Sequence, residues 1–351
     1  MSGLASIWLV LIFVAAAAAI WIAGIELSNT TDALDTRLGL GSALGGLILL
    51  SFATDLPELV ITIAAAASGE VGLAVGNLVG GIAIQTVVLA ILDATLAGDR
   101  PLSFRAGSLV LVLEAALVIS CVVLGIMTAH LPQSANVAGV SPGTAAIVAT
   151  WIGGLLLVRR AQRGLPWRAE APESEPGRAR TEKRAGAEPV AMARVPTARV
   201  AGIFAAAAAV TAVAGVLVEE SGSELAGRLG LSGAVFGATV LAAATALPEL
   251  STGLQSVRIG DHQLAFSDIF GGNAVLMALF LVADLVSGRP ALAGAQDSDL
   301  WMAGLGAVVT GIYLAGIVLR PKRRIGRLGP DSLGVVLVYA LGIVGLAAIG
   351  G

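Results

Sequence analysis

The sequence predicts an all-α membrane protein of ten transmembrane helices arranged as two inverted five-helix repeats. Three observations lead there. Apolar runs of bilayer-spanning length recur from end to end. The stretch Ala53-Thr54-Asp55-Leu56-Pro57-Glu58-Leu59 returns as Ala244-Thr245-Ala246-Leu247-Pro248-Glu249-Leu250, an offset of 191 residues. Basic residues gather in alternate loops, as they do when one side of the chain faces the cytoplasm.

The spans are expected near 5–27, 39–66, 71–97, 106–128, 142–159, 200–218, 231–256, 263–287, 300–319 and 332–350. The N-terminus has no basic n-region, and the apolar run from Ile7 to Ile25 exceeds a signal-peptide core, so it reads as the first span. The second and seventh spans carry the repeated motif. The third carries Gly81 and the row Gly72, Gly76 and Gly80, which is expected to press against the second, together with Asn77 and Gln85 on one helix face. The fourth holds Glu114 and the single cysteine, Cys121. The eighth holds Ser267, Asp268, Gly271, Gly272 and Asn273. Asp93 and Asp284 close the third and eighth spans and are expected at the membrane interface; Glu219, Glu220 and Glu224 are expected in an outer loop.

These spans define a first repeat over 1–160, a linker over 161–198 and a second repeat over 199–351. The linker is rich in Arg, Glu, Pro and Ala without hydrophobic period, and is expected to be disordered. Five spans in each half force the halves into opposite orientations. The offset of 191 also superposes Arg37 on Arg228, Gly69 on Gly260, Gly80-Gly81 on Gly271-Gly272 and Asp93 on Asp284. With the linker inside, 19 of the 21 Lys and Arg fall in inner loops, leaving Arg228 and Arg289 outside. Both termini are therefore expected outside and the linker in the cytoplasm, in a plasma (inner) membrane.

Composition excludes several classes. The 351 residues are 56% hydrophobic and 13% charged, with a mean hydropathy of +0.90, which leaves no polar face for a soluble helical protein. One cysteine rules out a disulfide framework, and two histidines near span ends argue against a His-based metal site or a Ser-His-Asp triad. No Gly-rich loop with a lysine is present to hold ATP phosphates, so an ATP-driven pump is not expected.

The chemistry concentrates at Glu58 and Glu249. A charge at the bilayer centre costs roughly 2.5–3.5 kcal/mol, so two at matched positions imply a polar partner. Pro57 and Pro248 each lack an N–H and are expected to free the carbonyls of Ala53 and Ala244. Carbonyl, threonine hydroxyl (Thr54 or Thr245) and carboxylate within one turn form a set of hard oxygen ligands suited to Ca²⁺ or Na⁺. Asp268 stands opposite Asn77 under the offset; it is open whether it faces an ion path or is held by helix-packing hydrogen bonds.

These residues resemble the Ca²⁺/cation antiporter superfamily, which includes the sodium/calcium exchangers. That family has two inverted repeats, each with a Gly-Thr-Ser-Leu-Pro-Glu motif followed by Gly-Asn-x-x-Gly-Ser-Asn-x-x-Asn on the next helix. The resemblance implies that Glu58 and Glu249 are the two central cation-coordinating glutamates, Thr54 and Thr245 the motif threonines, and Gln85 an amide ligand. Departures stand at Asp55 and Ala246 for the motif serines, at Gly81 and Gly272 for the later serines, and at Leu276, often an aspartate in the family.

The reading is a secondary active antiporter, not an enzyme, exchanging Ca²⁺ for Na⁺ or H⁺ at a site of Glu58, Glu249, Asp55, Thr54, Thr245, Asn77, Gln85 and Asp268. No permanently bound cofactor is expected. The expected partners are membrane lipid and inorganic cations, not nucleic acid. Leu276 motivates the alternative, an ion-binding sensor or scaffold of the same fold that does not transport. An intramembrane aspartyl protease is disfavoured because Asp99 and Asp261 fall at loop edges.

Overall fold

The computed structural model describes residues 3–40, 42–96, 99–132, 134, 136–164, 192, 195–228 and 246–349. Helices account for the architecture: α1 Ser6–Leu38, α2 Gly45–Thr54, α3 Leu56–Ala67, α4 Val71–Thr95, α5 Leu102–Ala106, α6 Leu109–Ala129, α7 Pro142–Gln162, α8 Thr197–Arg228, α9 Leu247–Ile259, α10 His262–Ala278, α11 Phe280–Ser287, α12 Asp297–Leu319 and α13 Pro330–Ile349. Among the described residues the only β pairing is two isolated bridges, Val137 with Val140 and Ile325 with Leu328. Among the described residues eight helical segments are long and apolar enough to cross a membrane, or nine with the bent pair α2–α3 taken as one span. The expected seventh span, 231–256, lies outside the described residues up to Thr245, as do 165–191, 193 and 194 of the linker.

Two helices run past their expected ends. α1 spans 33 residues, about 50 Å at the α-helical rise. Its last three turns carry Glu26, Asn29, Asp32 and Asp35, because polar side chains there find helical neighbours: Ser28 pairs with Ser256 at 3.0 Å and Gln255 donates to Asn29 at 2.8 Å. α8 continues to Arg228, so Glu219, Glu220 and Glu224 are helical and not in a loop. Glu224 and Arg228 lock its last turn as an i, i+4 ion pair at 3.0 Å.

The interior is built around α4, α6, α10 and α12, whose apolar faces share one core containing Leu78, Ile82, Leu89, Val118, Phe266, Phe270, Phe280 and Tyr313. α1 and α8 pack against each other outside it, Ile20 meeting Val218 and Ala23 lying with Ala207 and Ala208.

Matched positions adopt matched conformations. α3 and α9 both end in a glycine with positive φ, Gly69 at 83° and Gly260 at 89°. Only glycine takes this conformation without strain. Beyond each glycine the next N–H bonds back to the helix, Glu70 to the carbonyl of Ala65 and Asp261 to that of Ser256, both at 2.9 Å.

Asp93 and Asp284 are fully buried and not solvated at an interface. Asp93 accepts from the backbone N–H of Leu102 at 2.8 Å and of Gly329 at 2.6 Å, and Arg324 pairs with it at 3.4 Å. Asp284 accepts from the N–H of Ala291 at 2.7 Å and of Ser141 at 3.1 Å. Ser141 and Gly329 each follow one of the two bridged turns and begin α7 and α13. Each acid therefore ties its own loop to the turn before a helix of the other half. Removing one leaves buried donors unpaired. Asp93→Ala is expected to destabilise the fold by about 3 kcal/mol, because Arg324 loses a buried counter-charge. Thermal unfolding of the detergent-solubilised protein tests this, and an unchanged midpoint would refute it.

Candidate functional site

The repeated motif sets the same local backbone twice, as a break between α2 and α3 and as the start of α9. Asp55 sits between α2 and α3 at φ −82°, ψ 3°, and Ala246 precedes α9 at φ −84°, ψ 6°. Pro57 and Pro248 occupy the first turn of the helix that follows, where a missing N–H is tolerated. The α2–α3 bend is 52°. Glu58 and Glu249 lie in those first turns, where the helix dipole favours negative charge. Glu58 is 4% exposed and Glu249 1%.

Gln85, reaching in from α4, joins the two copies of the motif. Its Nε2 donates to Asp55 Oδ1 at 3.1 Å and to Glu249 Oε1 at 3.3 Å. Asp268, on α10, is fully buried and accepts from Thr252 at 2.6 Å and from Thr54 at 3.4 Å. Asn77 donates to the backbone carbonyl of Glu58 at 3.2 Å and to Thr62 at 3.3 Å, pinning α3 to α4. Asp55, Glu58 and Asp268 are all like-charge neighbours of Glu249. Seven of the eight expected site residues thus gather at or beside the α2–α3 break and the start of α9; Thr245 lies outside the described residues.

Several oxygens at this centre have no hydrogen-bond partner among the described residues: Asp55 Oδ2, Glu58 Oε2, Gln85 Oε1 and Glu249 Oε2. Buried, unpaired carboxylate oxygens are costly unless protonated or bound by a cation. Hard oxygen donors of this kind fit Ca²⁺ or Na⁺ and not a soft metal. No three acids or histidines among the described residues form a ready-made metal cage. Asp55 and Glu249 share the Gln85 amide while Asp268 is turned to two threonines. Full coordination therefore requires side-chain rotation.

Glycines let the elements approach, though not those in the expected row. A Cβ at Gly72 or Gly80 would meet nothing within 4 Å, and one at Gly76 only Asp299, so that row does not press on α3. The close approaches are elsewhere. A Cβ at Gly271 would lie 2.6 Å from Leu47 Cα, and one at Gly46 would lie 2.6 Å from Ser267 Cβ, so α2 and α10 touch backbone to backbone. Asp268 meets Thr54 across this contact.

Two residues were not expected here. Thr252 fixes Asp268, and its place one turn after Glu249 could have drawn notice; the internal comparison points away from it, because the matched position is Ile61. Glu219, on α8, is a like-charge neighbour of Glu58 and has a buried Oε2 with no partner.

Apolar helices of membrane-spanning length, with acids gathered at the α2–α3 break and at the matched start of α9, define an integral membrane protein that handles inorganic cations. The chain matches the sodium/calcium exchanger protein family twice, over residues 8–158 and 199–349, and it belongs to that family, one of transporters and not enzymes. The two matches are again 191 residues apart. A candidate antiporter, CaxA, of Alkalimonas amylolytica is 26% identical over 294 residues, covering 83% of this chain and 84% of its own. The fold resembles solved structures of the sodium-calcium exchanger NCX_Mj. One, soaked with 2.5 mM Na⁺ and 10 mM Sr²⁺, superposes with a TM-score of 0.65 at 15% identity, over 97% of this chain and 99% of that one. Another, soaked with zero Na⁺ and Ca²⁺, gives 0.65 at 14% identity, over 97% and 98%.

Filling the α2–α10 contact tests the packing. Gly271→Val is expected to cost about 1–3 kcal/mol by overpacking against the α2 backbone. Gly72→Ala, facing open space, is expected to leave the unfolding midpoint unchanged or slightly raised. Equal loss in both variants would contradict this packing.

Proposed function

We propose that the chain is a secondary active cation antiporter exchanging Ca²⁺ for Na⁺ or H⁺ at one midplane site. Glu58 and Glu249 are its central ligands; Asp55, Thr54, Thr245, Asn77, Gln85 and Asp268 complete or position it. The observation that carries this reading is the pair of buried glutamates in the first turns of two matched helices, each with an oxygen that has no partner among the described residues. Because the two ions compete for the same oxygens, one leaves before the other binds, and the gradient of one drives the other.

Alternating access comes from α1 and α8 sliding together over the site helices. Matched glycines make the contact surfaces smooth. A Cβ at Gly24 of α1 would lie 1.7 Å from Ser251 Oγ on α9, and one at Gly215 of α8 would lie 2.4 Å from Pro57 Cγ on α3. The two glycines are 191 residues apart. The halves, 1–160 and 199–351, act as inverted repeats joined by a cytoplasmic linker over 161–198, with both termini outside the plasma membrane.

Proteoliposomes loaded with Ca²⁺ test the activity. An imposed Na⁺ or pH gradient is expected to drive Ca²⁺ efflux, and Glu58→Gln and Glu249→Gln are each expected to lower it roughly 100-fold, the loss expected when about 2.7 kcal/mol of binding is removed. No Ca²⁺ movement under either gradient would end the calcium reading. Wild-type flux in both variants would end the site assignment. The orientation has its own test. Cys121 is buried, so a single Ser174→Cys variant carries one reactive thiol. It is expected to react with an impermeant maleimide only after the cytoplasmic face is opened; labelling of intact cells would reverse the topology.

A further inference from the structure

The two halves share backbone conformation at Asp55 and Ala246 and at Gly69 and Gly260, but they differ in what they place over the matched glycines Gly81 and Gly272. Under the offset of 191, Gly81 corresponds to Gly272, Asp55 to Ala246 and Gln85 to Leu276. A Cβ at Gly272 would lie 3.0 and 3.2 Å from the carboxylate oxygens of Asp55 and 3.3 Å from Gln85 Oε1. All three nearest atoms are oxygens. Asp55 and Gln85 are each 1% exposed, and Asp55 Oδ2 and Gln85 Oε1 are unpartnered. Glu249 joins them through Gln85 Nε2 and brings a third unpartnered oxygen, Oε2.

The corresponding position over Gly81 is of opposite character. A Cβ there would lie 3.0 Å from Leu276 Cδ1 and 3.9 Å from Gln85 Nε2, and no oxygen among the described residues comes within 4 Å. Leu276 and Ala246 are buried members of the main apolar core. A cation there would lose its water and gain no ligand from the described side chains. Over Gly272 it would find anionic and amide oxygens that otherwise lack partners. Gly272 leaves that space clear, since any side chain would displace the Asp55 carboxylate.

Resting on the antiport site proposed above, we infer that the ion pocket is one-sided. A cation held by the central glutamates Glu58 and Glu249 seats over Gly272 beside Asp55 and Gln85, Leu276 plugs the mirror-related lobe over Gly81, and the chain holds one Ca²⁺ or one competing cation at a time. Asp55 is then a ligand that sets affinity and ion preference.

The test is equilibrium binding of ⁴⁵Ca²⁺ to the full-length protein in detergent, with Na⁺ as competitor. The wild type is expected to bind about one Ca²⁺ per chain, with Na⁺ displacing it at a Hill coefficient of about 1, since the coefficient is bounded by the number of sites. Asp55→Asn, nearly isosteric, is expected to weaken Ca²⁺ binding by roughly 10–100-fold, the range seen when a metal site loses a supporting group. Gly272→Ala is expected to weaken it comparably by displacing the carboxylate, whereas Gly81→Ala leaves affinity within about twofold. Wild-type affinity in Asp55→Asn, a Na⁺ Hill coefficient of 2 or more, or equal losses at Gly81 and Gly272 would each overturn the inference. If Asp55→Asn fails to fold, the two glycine variants decide. The antiport reading fails separately: this binding pattern without gradient-driven flux sinks transport and leaves the one-sided pocket, while flux with an indifferent Asp55 does the reverse.

Discussion

Everything in this fold answers to the presence of carboxylates inside an apolar bundle. An acid at membrane depth needs hydrogen-bond donors, a cation, a proton or water. The chain supplies donors from three directions: the first turns of α3 and α9, the Gln85 amide, and threonine hydroxyls on α2 and α9. Each source needs a specific backbone. The helix starts exist because Asp55 and Ala246 leave helical geometry before a proline. The hydroxyl of Thr54 reaches Asp268 because Gly46 and Gly271 let α2 and α10 touch. Irregular backbone at this depth survives only where protein or a polar cavity surrounds it, and here α4 and α10 form the wall.

The satisfaction is deliberately incomplete in chemical terms. Asp268 has a hydroxyl for each oxygen, so it behaves as a held, structural acid in this state. Asp55, Glu58 and Glu249 each keep a spare oxygen. A core that satisfied all of them would have no use for a cation. The division between the held acid and the three unsatisfied ones is what separates scaffold from site.

Much of this was legible in the sequence, and what was not has identifiable causes. The helical class, the repeated motif and the meeting of Asp55, Glu58, Glu249, Gln85 and Asp268 follow from apolar length and from an offset that holds without a gap. Helix ends were less legible: α1 and α8 outrun their apolar stretches because Asn29, Ser28 and Glu224 find side-chain partners that hydropathy cannot register. The Gly72–Gly76–Gly80 row misled, since helical spacing says that small residues share a face but not which neighbour that face meets. Thr252 was hidden by symmetry itself, because its counterpart Ile61 is apolar. Asp93 and Asp284 read as helix-end acids at the membrane interface; their burial depends on loops folding back from the other half, which no local pattern encodes.

Those two acids bear on how the chain is made. Asp93 lies in the first third of the sequence, yet Arg324 and the N–H of Gly329 come from the turn before the last helix. During synthesis the acid is inserted more than two hundred residues before these partners leave the ribosome. Asp284 has the reverse history, meeting Ser141 as soon as its own loop forms. The first half therefore waits, with an unmet charge at its inner edge, for the second to arrive. Maturation ends with a latch at α13, and a chain truncated before Gly329 would present quality-control proteases with an unfinished, exposed acid.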